Sequence, residues 1–422
     1  MALITRIVAR EIINSRAYPT IETTVELDDG TAASASVPSG TSIGHHEAVE
    51  VLDNDPNRYF GKGVLKPVSY VNQIIGPGLV NVDPTRQIEI DQWMVQVDGT
   101  PDKSKYGSNT ILSISMALAK AAAASQKIPL FQYINNLYTT TTNTQVPLTR
   151  VPAPIFNVIN GGKHGAGNLD FQEFQIIPST AKSYSEAYRI GVEMYHIIKK
   201  VLVEKNAIHS VGDEGGFAPD LYANLDALEI IMQAVKQSPY QFGKDIFLGL
   251  DVAANNFYSK SHYTIRDIQQ GMNTTKFIEY LMNLNKQYHL LLLEDALTDD
   301  DWSGWKQLYE LLGDSVLLVG DDLLATNIER LKKAIADKAC SAILVKPNQI
   351  GTVTETLHVV HVARENNFQL IVSHRSGETN DTFIADFATG IQAQYVKFGS
   401  PARGERVAKY NRLLEIEQLV HS

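Results

Sequence analysis

The sequence predicts an α/β barrel of the TIM type preceded by a smaller α+β N-terminal domain, and three observations carry that expectation. Beyond about residue 245, six short apolar runs each end in a polar or charged residue. From Asp251 onward the run ends lie 43, 27, 25, 28 and 23 residues apart, with His374 taken for the fifth run. A strand, loop and helix occupy about 25 residues, so this spacing reads as a βα repeat. No G-x-G-x-x-G follows a first strand, as an open doubly wound sheet would more often require. With 422 residues, 44% of them hydrophobic, the chain is too long for one compact domain.

The elements follow in order. Residues 1–11 interrupt their apolar positions with charges and read as a strand rather than a signal peptide. Residues 20–27, the turn Asp28-Asp29-Gly30 and residues 31–37 read as a hairpin or meander. From residue 49 to about 131 the pattern turns helical, with the Ala-rich stretch 113–125 as a buried helix, which makes the first part α+β. Residues 138–145 form a polar Thr/Asn run followed by Pro147, Pro152 and Pro154, and read as a linker. The expected division is therefore an N-terminal capping domain at 1–140 and a catalytic barrel at 141–422. Asn160-Gly161-Gly162-Lys163-His164-Gly165 is a glycine loop without the Gly-Lys-Ser/Thr ending of a phosphate-binding loop. The six runs end at Asp251, Glu294, Asp321, Lys346, Ser373-His374-Arg375 and Lys397.

Charge and composition narrow the function. Lys+Arg 37 against Asp+Glu 47 gives −10, which disfavours general nucleic-acid binding and anionic membrane surfaces. The single Cys340 excludes an intramolecular disulfide and a multi-Cys metal site and fits a reducing compartment. The longest weakly polar stretch, 111–124, falls short of the roughly 20 apolar residues of a membrane span. A cytoplasmic protein is expected, with the cell surface or secretion without a signal peptide as the second location.

In a TIM-type barrel the C-terminal strand ends share one mouth, so Asp251, Glu294, Asp321, Lys346, His374, Arg375 and Lys397 should converge. Charged strand ends often do no more than solvate a barrel rim, but three acids on successive ends make an oxygen-rich site. With no Cys or His cluster beside them, such a site suits Mg²⁺ or Mn²⁺ rather than zinc, and Mg²⁺ is the expectation. Lys346 follows a buried run, where burial and neighbouring cations depress an ammonium pKa, as a base that removes a carbon-bound proton requires; the plainer reading is an ion-paired structural lysine. His374, Arg375, Ser376 and Lys397 supply donors for phosphate and carboxylate, which points to a small dianionic substrate. Glu214, in the turn Gly212-Asp213-Glu214-Gly215-Gly216, is the candidate general acid. Gln172 and Glu173 either contact substrate or merely decorate a strand.

Several of these motifs, with others, occur together in the order found in one family. They are Ser15-Arg16 with Pro19-Thr20, Val37-Pro38-Ser39-Gly40, Asn160-Gly161-Gly162 with His164, Gln172-Glu173-Phe174 and the Glu214 turn. Gly249-Leu250-Asp251, Glu294-Asp295, Gly320-Asp321-Asp322-Leu323, Asn348-Gln349-Ile350-Gly351, residues 373–378 and Ala408-Lys409-Tyr410-Asn411 complete the set. Over nearly its whole length the chain resembles the enolase family. That resemblance implies an enolase-type barrel and the reversible dehydration of 2-phosphoglycerate to phosphoenolpyruvate in glycolysis and gluconeogenesis, with two Mg²⁺ per active site and a homo-oligomer. It assigns Lys346 to the C2 proton, Glu214 to the departing C3 hydroxyl, and Asp251, Glu294 and Asp321 to the first Mg²⁺. It assigns Ser39 to the second Mg²⁺, Arg375 and Ser376 to phosphate, Lys397 to carboxylate, and His164, Gln172, Glu173 and His374 to the substrate pocket.

The chain also departs from the family pattern. Asn14, Ala17 and Tyr18 stand where Asp, Gly and Asn are usual; Thr41 and Ile43 replace Ala and Thr; Asn255 and Asn256 replace Ser and Glu; Gly404 replaces Ser. Pro347 is expected to remove an N–H from a central barrel strand, and Phe398 replaces a Thr beside Lys397. At the family's dimer contact, Glu22 and Arg16 would face Glu415 and Gln418, so charge complementarity is lost and a weakened or rearranged dimer is expected. The rival functions are a catalytically idle paralogue that serves as scaffold or surface-binding protein, and another dehydratase of the wider superfamily.

Overall fold

In the computed structural model the described residues are 2–40, 44, 46–165 and 169–420; Thr41 and Ile43 lie outside them. Alternating burial along β2 (Pro19–Leu27) gives it one core face. It pairs antiparallel with β1 (Ile4–Ile13) on one side and β3 (Ala32–Ser36) on the other, the expected meander. The short helices α1 (Leu65–Tyr70) and α2 (Gly76–Gly78) join through a π-helical turn at Val71–Ile75 and lead to α3 (Gln87–Asp98). Helix α4 (Ser108–Ser125) is buried along almost its whole length. Its Ala and Ser side chains let β2 approach closely, and Thr23 and Ser113 hydroxyls meet at 2.7 Å.

The expected linker is partly helix. Helix α5 (Leu130–Thr142) runs across position 140 and takes in the first five residues of the Thr/Asn run. Thr139, Thr140 and Thr142 each donate a hydroxyl hydrogen bond to the carbonyl four residues back, so the threonines satisfy themselves inside the helix instead of breaking it.

The barrel closes in the order β10-β11-β12-β13-β14-β4-β5-β6. Its strands are β4 (Ala153–Asn160), β5 (Glu173–Pro178), β6 (Ile246–Asp251), β10 (Leu290–Glu294), β11 (Leu317–Gly320), β12 (Ala342–Val345), β13 (Gln369–Ser373) and β14 (Tyr395–Lys397). Ile155, Ile177, Leu292, Val319, Leu344 and Ile371 fill the interior. Two features depart from a plain βα repeat. Among the described residues only a 3₁₀ turn at Gly162–His164 separates β5 from β4, and β5 runs antiparallel to both neighbours, after which α6 (Tyr184–Glu204) and α7 (Asn224–Gln237) follow in succession. Between β6 and β10 a small sheet of β7 (Tyr258–Ser259), β8 (His262–Ile265) and β9 (Ile268–Met272) precedes α8 (Thr274–Tyr288), which accounts for the 43-residue interval. The later strands alternate with α9 (Trp302–Leu312), α10 (Ile328–Asp337), α11 (Val353–Glu365), α12 (Phe383–Gly390) and α13 (Gly404–Val420).

Pro347 does not sit in a strand. β12 stops at Val345, and Pro347 is the first residue of a 3₁₀ turn, where a missing N–H costs nothing. Phe398 points away from the mouth and packs against Tyr410, ring centroids 5.7 Å apart, in the layer between strands and helices. Ala17 adopts φ 58°, which explains the usual glycine there. Nothing in the structure explains Gly404 in place of Ser.

Candidate active site

The mouth of the barrel gathers the sequence-predicted residues. His164, Gln172, Glu173, Glu214, Asp251, Asp321, Lys346, His374, Arg375, Ser376 and Lys397 line one cavity. Gln172 and Glu173 reach it because β5 is reversed, so its start, not its end, faces the mouth.

On the β11–β12 side Lys346 Nζ donates to Asp321 Oδ2 at 2.5 Å. Burial, the largest single influence, would lower the Lys346 pKa, yet Asp321 and Glu294 together hold the ammonium above its ordinary value. The expected depression is therefore not found, because the carboxylates offset both burial and the cations Arg375 and Lys397. Asp321 is held low in turn, since Lys346 outweighs its burial.

Lys397 takes the centre of the expected metal set. Its ammonium contacts Glu294 at 2.7 Å, Glu173 at 2.9 Å and Asp251 at 3.2 Å, and these acids raise its pKa well above normal against burial. Among the described residues Asp251, Glu294 and Asp321 do not close to within 4.8 Å as a group, whereas Asp295, Asp321 and Asp322 do. Asp295 and Asp322 are site residues the sequence reading passed over; the Glu294-Asp295 and Asp321-Asp322 doublets were their signal. Asp295, at φ 41°, accepts the backbone N–H groups of Asp321 and Asp322 at 3.0 and 2.8 Å. Burial, followed by neighbouring carboxylates, raises Glu294 and Asp295 far above the carboxylate range and Asp322 to about 7. Six crowded carboxylates face only two ammonium groups, a donor set that fits a divalent cation of hard character.

Across the cavity the balance reverses. Glu214 Oε2 lies 3.3 Å from His374 Nε2 and 3.5 Å from His164 Nδ1, and it accepts from Asn157 Nδ2 at 3.2 Å. The Ser376 hydroxyl donates to Glu214 Oε1 at 3.1 Å. Burial would raise Glu214, but His164, His374 and Arg406 outweigh it and hold it well below normal. The expected general acid is thus ionised. His164 is raised, because Glu214 and Glu173 overcome its burial, while burial keeps His374 low. Arg406, fully buried, donates to the Arg375 and Ser376 carbonyls at 2.6 Å and lies 2.8 Å from His374 Nδ1. It was missed, since one Arg in a charged helix carries no motif. The Glu214 turn needs its glycines: a Cβ on Gly216 would lie 2.0 Å from Asn160 Oδ1.

Arg375 is engaged by protein. Glu47 takes NH1 at 2.8 Å and NH2 at 3.2 Å, and Asn348 Oδ1 takes NH1 at 3.1 Å. Gly40 makes room for the guanidinium, which a Cβ there would meet at 2.0 Å. Nearby Glu50 is pushed up to about 7, by burial first and then by Glu47, with Arg375 opposing. Ser39 lies at the edge of this region: its N–H donates to the Gly377 carbonyl at 2.9 Å, and its hydroxyl accepts from Asn14 Nδ2 at 2.7 Å.

The departures at Asn255 and Asn256 touch the same wall. Asn255 Nδ2 donates to Asp322 at 3.3 Å and Asn256 Nδ2 to Gln172 at 3.4 Å. The charges named for the dimer contact are satisfied within the chain: Arg16 pairs with Asp213, Glu22 with Arg10 and Glu415 with Arg412.

The family described as "Enolase, N-terminal domain" matches residues 4–134, and "Enolase, C-terminal TIM barrel domain" matches residues 148–422. Two relatives named Enolase, from the Welgevonden and Gardel strains of Ehrlichia ruminantium, are each 45% identical over 419 residues, covering 99% of this chain and 97% of theirs.

Proposed function

The chain belongs to the enolase family, and from that premise we propose that it interconverts 2-phosphoglycerate and phosphoenolpyruvate with Mg²⁺ as its metal, two ions per site. It is a lyase, a glycolytic enolase. The observation that best supports the residue roles is the placement of Lys346 and Glu214 in one cavity, in opposite electrostatic surroundings.

In this reading the substrate phosphate displaces Glu47 from Arg375 and accepts from Ser376, and the carboxylate lies against Lys397. Lys346 Nζ removes the C2 proton. It becomes basic only when the charge of Asp321 is engaged elsewhere, for then Arg375 and Lys397 dominate its surroundings and depress its pKa. Bound among Asp251, Glu294 and Asp321, with a second ion at Ser39, Mg²⁺ would supply charge neutralisation for a carboxylate gaining a second negative charge. At the other end Glu214 delivers a proton to the C3 hydroxyl. Because Glu214 is itself ionised, the raised His164 beside it is the proton reserve.

Among the described residues no helix is long and apolar enough to cross a membrane. We place the protein in the cytoplasm as a homo-oligomer; sedimentation at nanomolar concentration measures how tight that assembly is. Absorbance at the phosphoenolpyruvate band, with and without Mg²⁺, tests the activity. Turnover that depends on the metal is expected; none in the intact protein, beside an active control enzyme, overturns the proposal.

A further inference from the structure

We propose that His46, Asp299 and Asp300 form a further site for a borderline divalent cation of the Zn²⁺ or Co²⁺ type, at the edge of a cavity that Asp299 shares with Asp251, Asp321 and Asp322. His46 belongs to the segment after β3, whereas Asp299 and Asp300 lie in the connection from β10 to α9. One ligand atom from each lies within 4.8 Å of the other two.

Two orphaned atoms carry the argument. His46 Nε2 and Asp299 Oδ2 are both closed to solvent and neither has a hydrogen-bond partner. Asp299 is only 7% exposed. A buried carboxylate oxygen without a donor is costly, and protein structures rarely leave one so. The third atom, Asp300 Oδ1, lies 3.5 Å from His46 Nε2. A metal ion that accepts one imidazole nitrogen and two carboxylate oxygens satisfies all three at once. The donor set distinguishes this site from the all-oxygen set of the mouth, with which it shares no residue, since Mg²⁺ prefers oxygen ligands and an imidazole favours zinc or cobalt.

The surroundings are compatible with a bound cation. Arg330 donates to the Asp299 carbonyl at 2.5 Å and to Asp300 Oδ1 at 3.3 and 3.4 Å, which fixes the loop but leaves the Asp299 carboxylate untouched. Two carboxylates against one guanidinium keep the site negative. The Asp300 side chain, 70% exposed, gives an ion a path from solvent.

The test uses the full chain, stripped by chelation, returned to excess Mg²⁺ and titrated with Co²⁺ under calorimetry and visible absorption. One Co²⁺ that Mg²⁺ does not displace is expected, with a ligand-field band that Zn²⁺ abolishes. His46→Ala, Asp299→Asn and Asp300→Asn should each weaken it by about tenfold or more, at least the loss seen when a metal ligand's supporting partner is removed. Asp300→Asn changes a mostly exposed side chain and keeps the test valid should Asp299→Asn fold poorly. Unchanged Co²⁺ affinity in the variants, or no uptake in the presence of Mg²⁺, overturns the proposal.

Discussion

In one part of the mouth, Lys346 and Lys397 are outnumbered by Glu173, Asp251, Glu294, Asp295, Asp321 and Asp322; in another, Glu214 sits among His164, His374 and Arg406. Burial is similar on both sides, yet it leaves Glu294 and Asp295 far above their ordinary range and Glu214 far below. Burial pushes all three carboxyls up; neighbouring carboxylates reinforce it at Glu294 and Asp295, whereas His164, His374 and Arg406 reverse it at Glu214. One side is short of positive charge and suits a cation, while the other holds a carboxylate among donors and suits an oxygen leaving group.

The largest expected effects break the two sides separately. Lys346→Ala should lower turnover by about 10³-fold or more and abolish exchange of the C2 hydrogen with solvent deuterium. Glu214→Gln should lower dehydration by a similar factor while leaving that exchange measurable. Equal loss of exchange in both variants would erase the functional difference between the sides.

A smaller effect concerns pH. Glu50 titrates at about 7 in the folded protein against 4.5 as its ordinary value, so the folded state binds more protons between those values. Its stabilising contribution is complete below the unfolded pKa and is lost as pH rises through 7, on the order of 3 kcal/mol. Denaturant unfolding from pH 5 to 8 should show that decline, and Glu50→Gln should flatten it; an identical slope in the variant assigns the decline elsewhere.

Glu47→Gln frees Arg375 of its buried carboxylate partner and should tighten inhibition by inorganic phosphate several-fold. Weaker inhibition would instead make Glu47 a support that orients the guanidinium. Smallest is Ala17→Gly, which relieves a left-handed alanine and should stabilise by about 1 kcal/mol without altering turnover. A lower melting temperature would exclude strain at that turn.

The chemistry of the strand ends was legible because each apolar run stops at the barrel rim, and the residue that stops it projects into the mouth; Asp251, Lys346 and Lys397 are found by that rule alone. Reversal of β5 was not legible, since a strand's direction leaves no mark on its own sequence. The Thr139–Thr142 turn was misread because hydroxyl hydrogen bonds back along the helix offset a poor propensity. Glu47 and Arg406 were invisible for another reason: each acts through a partner more than 30 residues away, Glu47 on Arg375 and Arg406 on His374.

Barrel closure has a consequence in time. β14 zips onto β4, pairing Tyr395 with Ala153, so the first strand of the barrel waits for a partner made about 240 residues later. At about 5–20 residues per second of synthesis, that wait is on the order of tens of seconds. Throughout it Pro154 and Ile155 of β4, buried in the finished protein, lack the strand that pairs with them. Whatever shields that edge on the ribosome must hold until β14 has emerged.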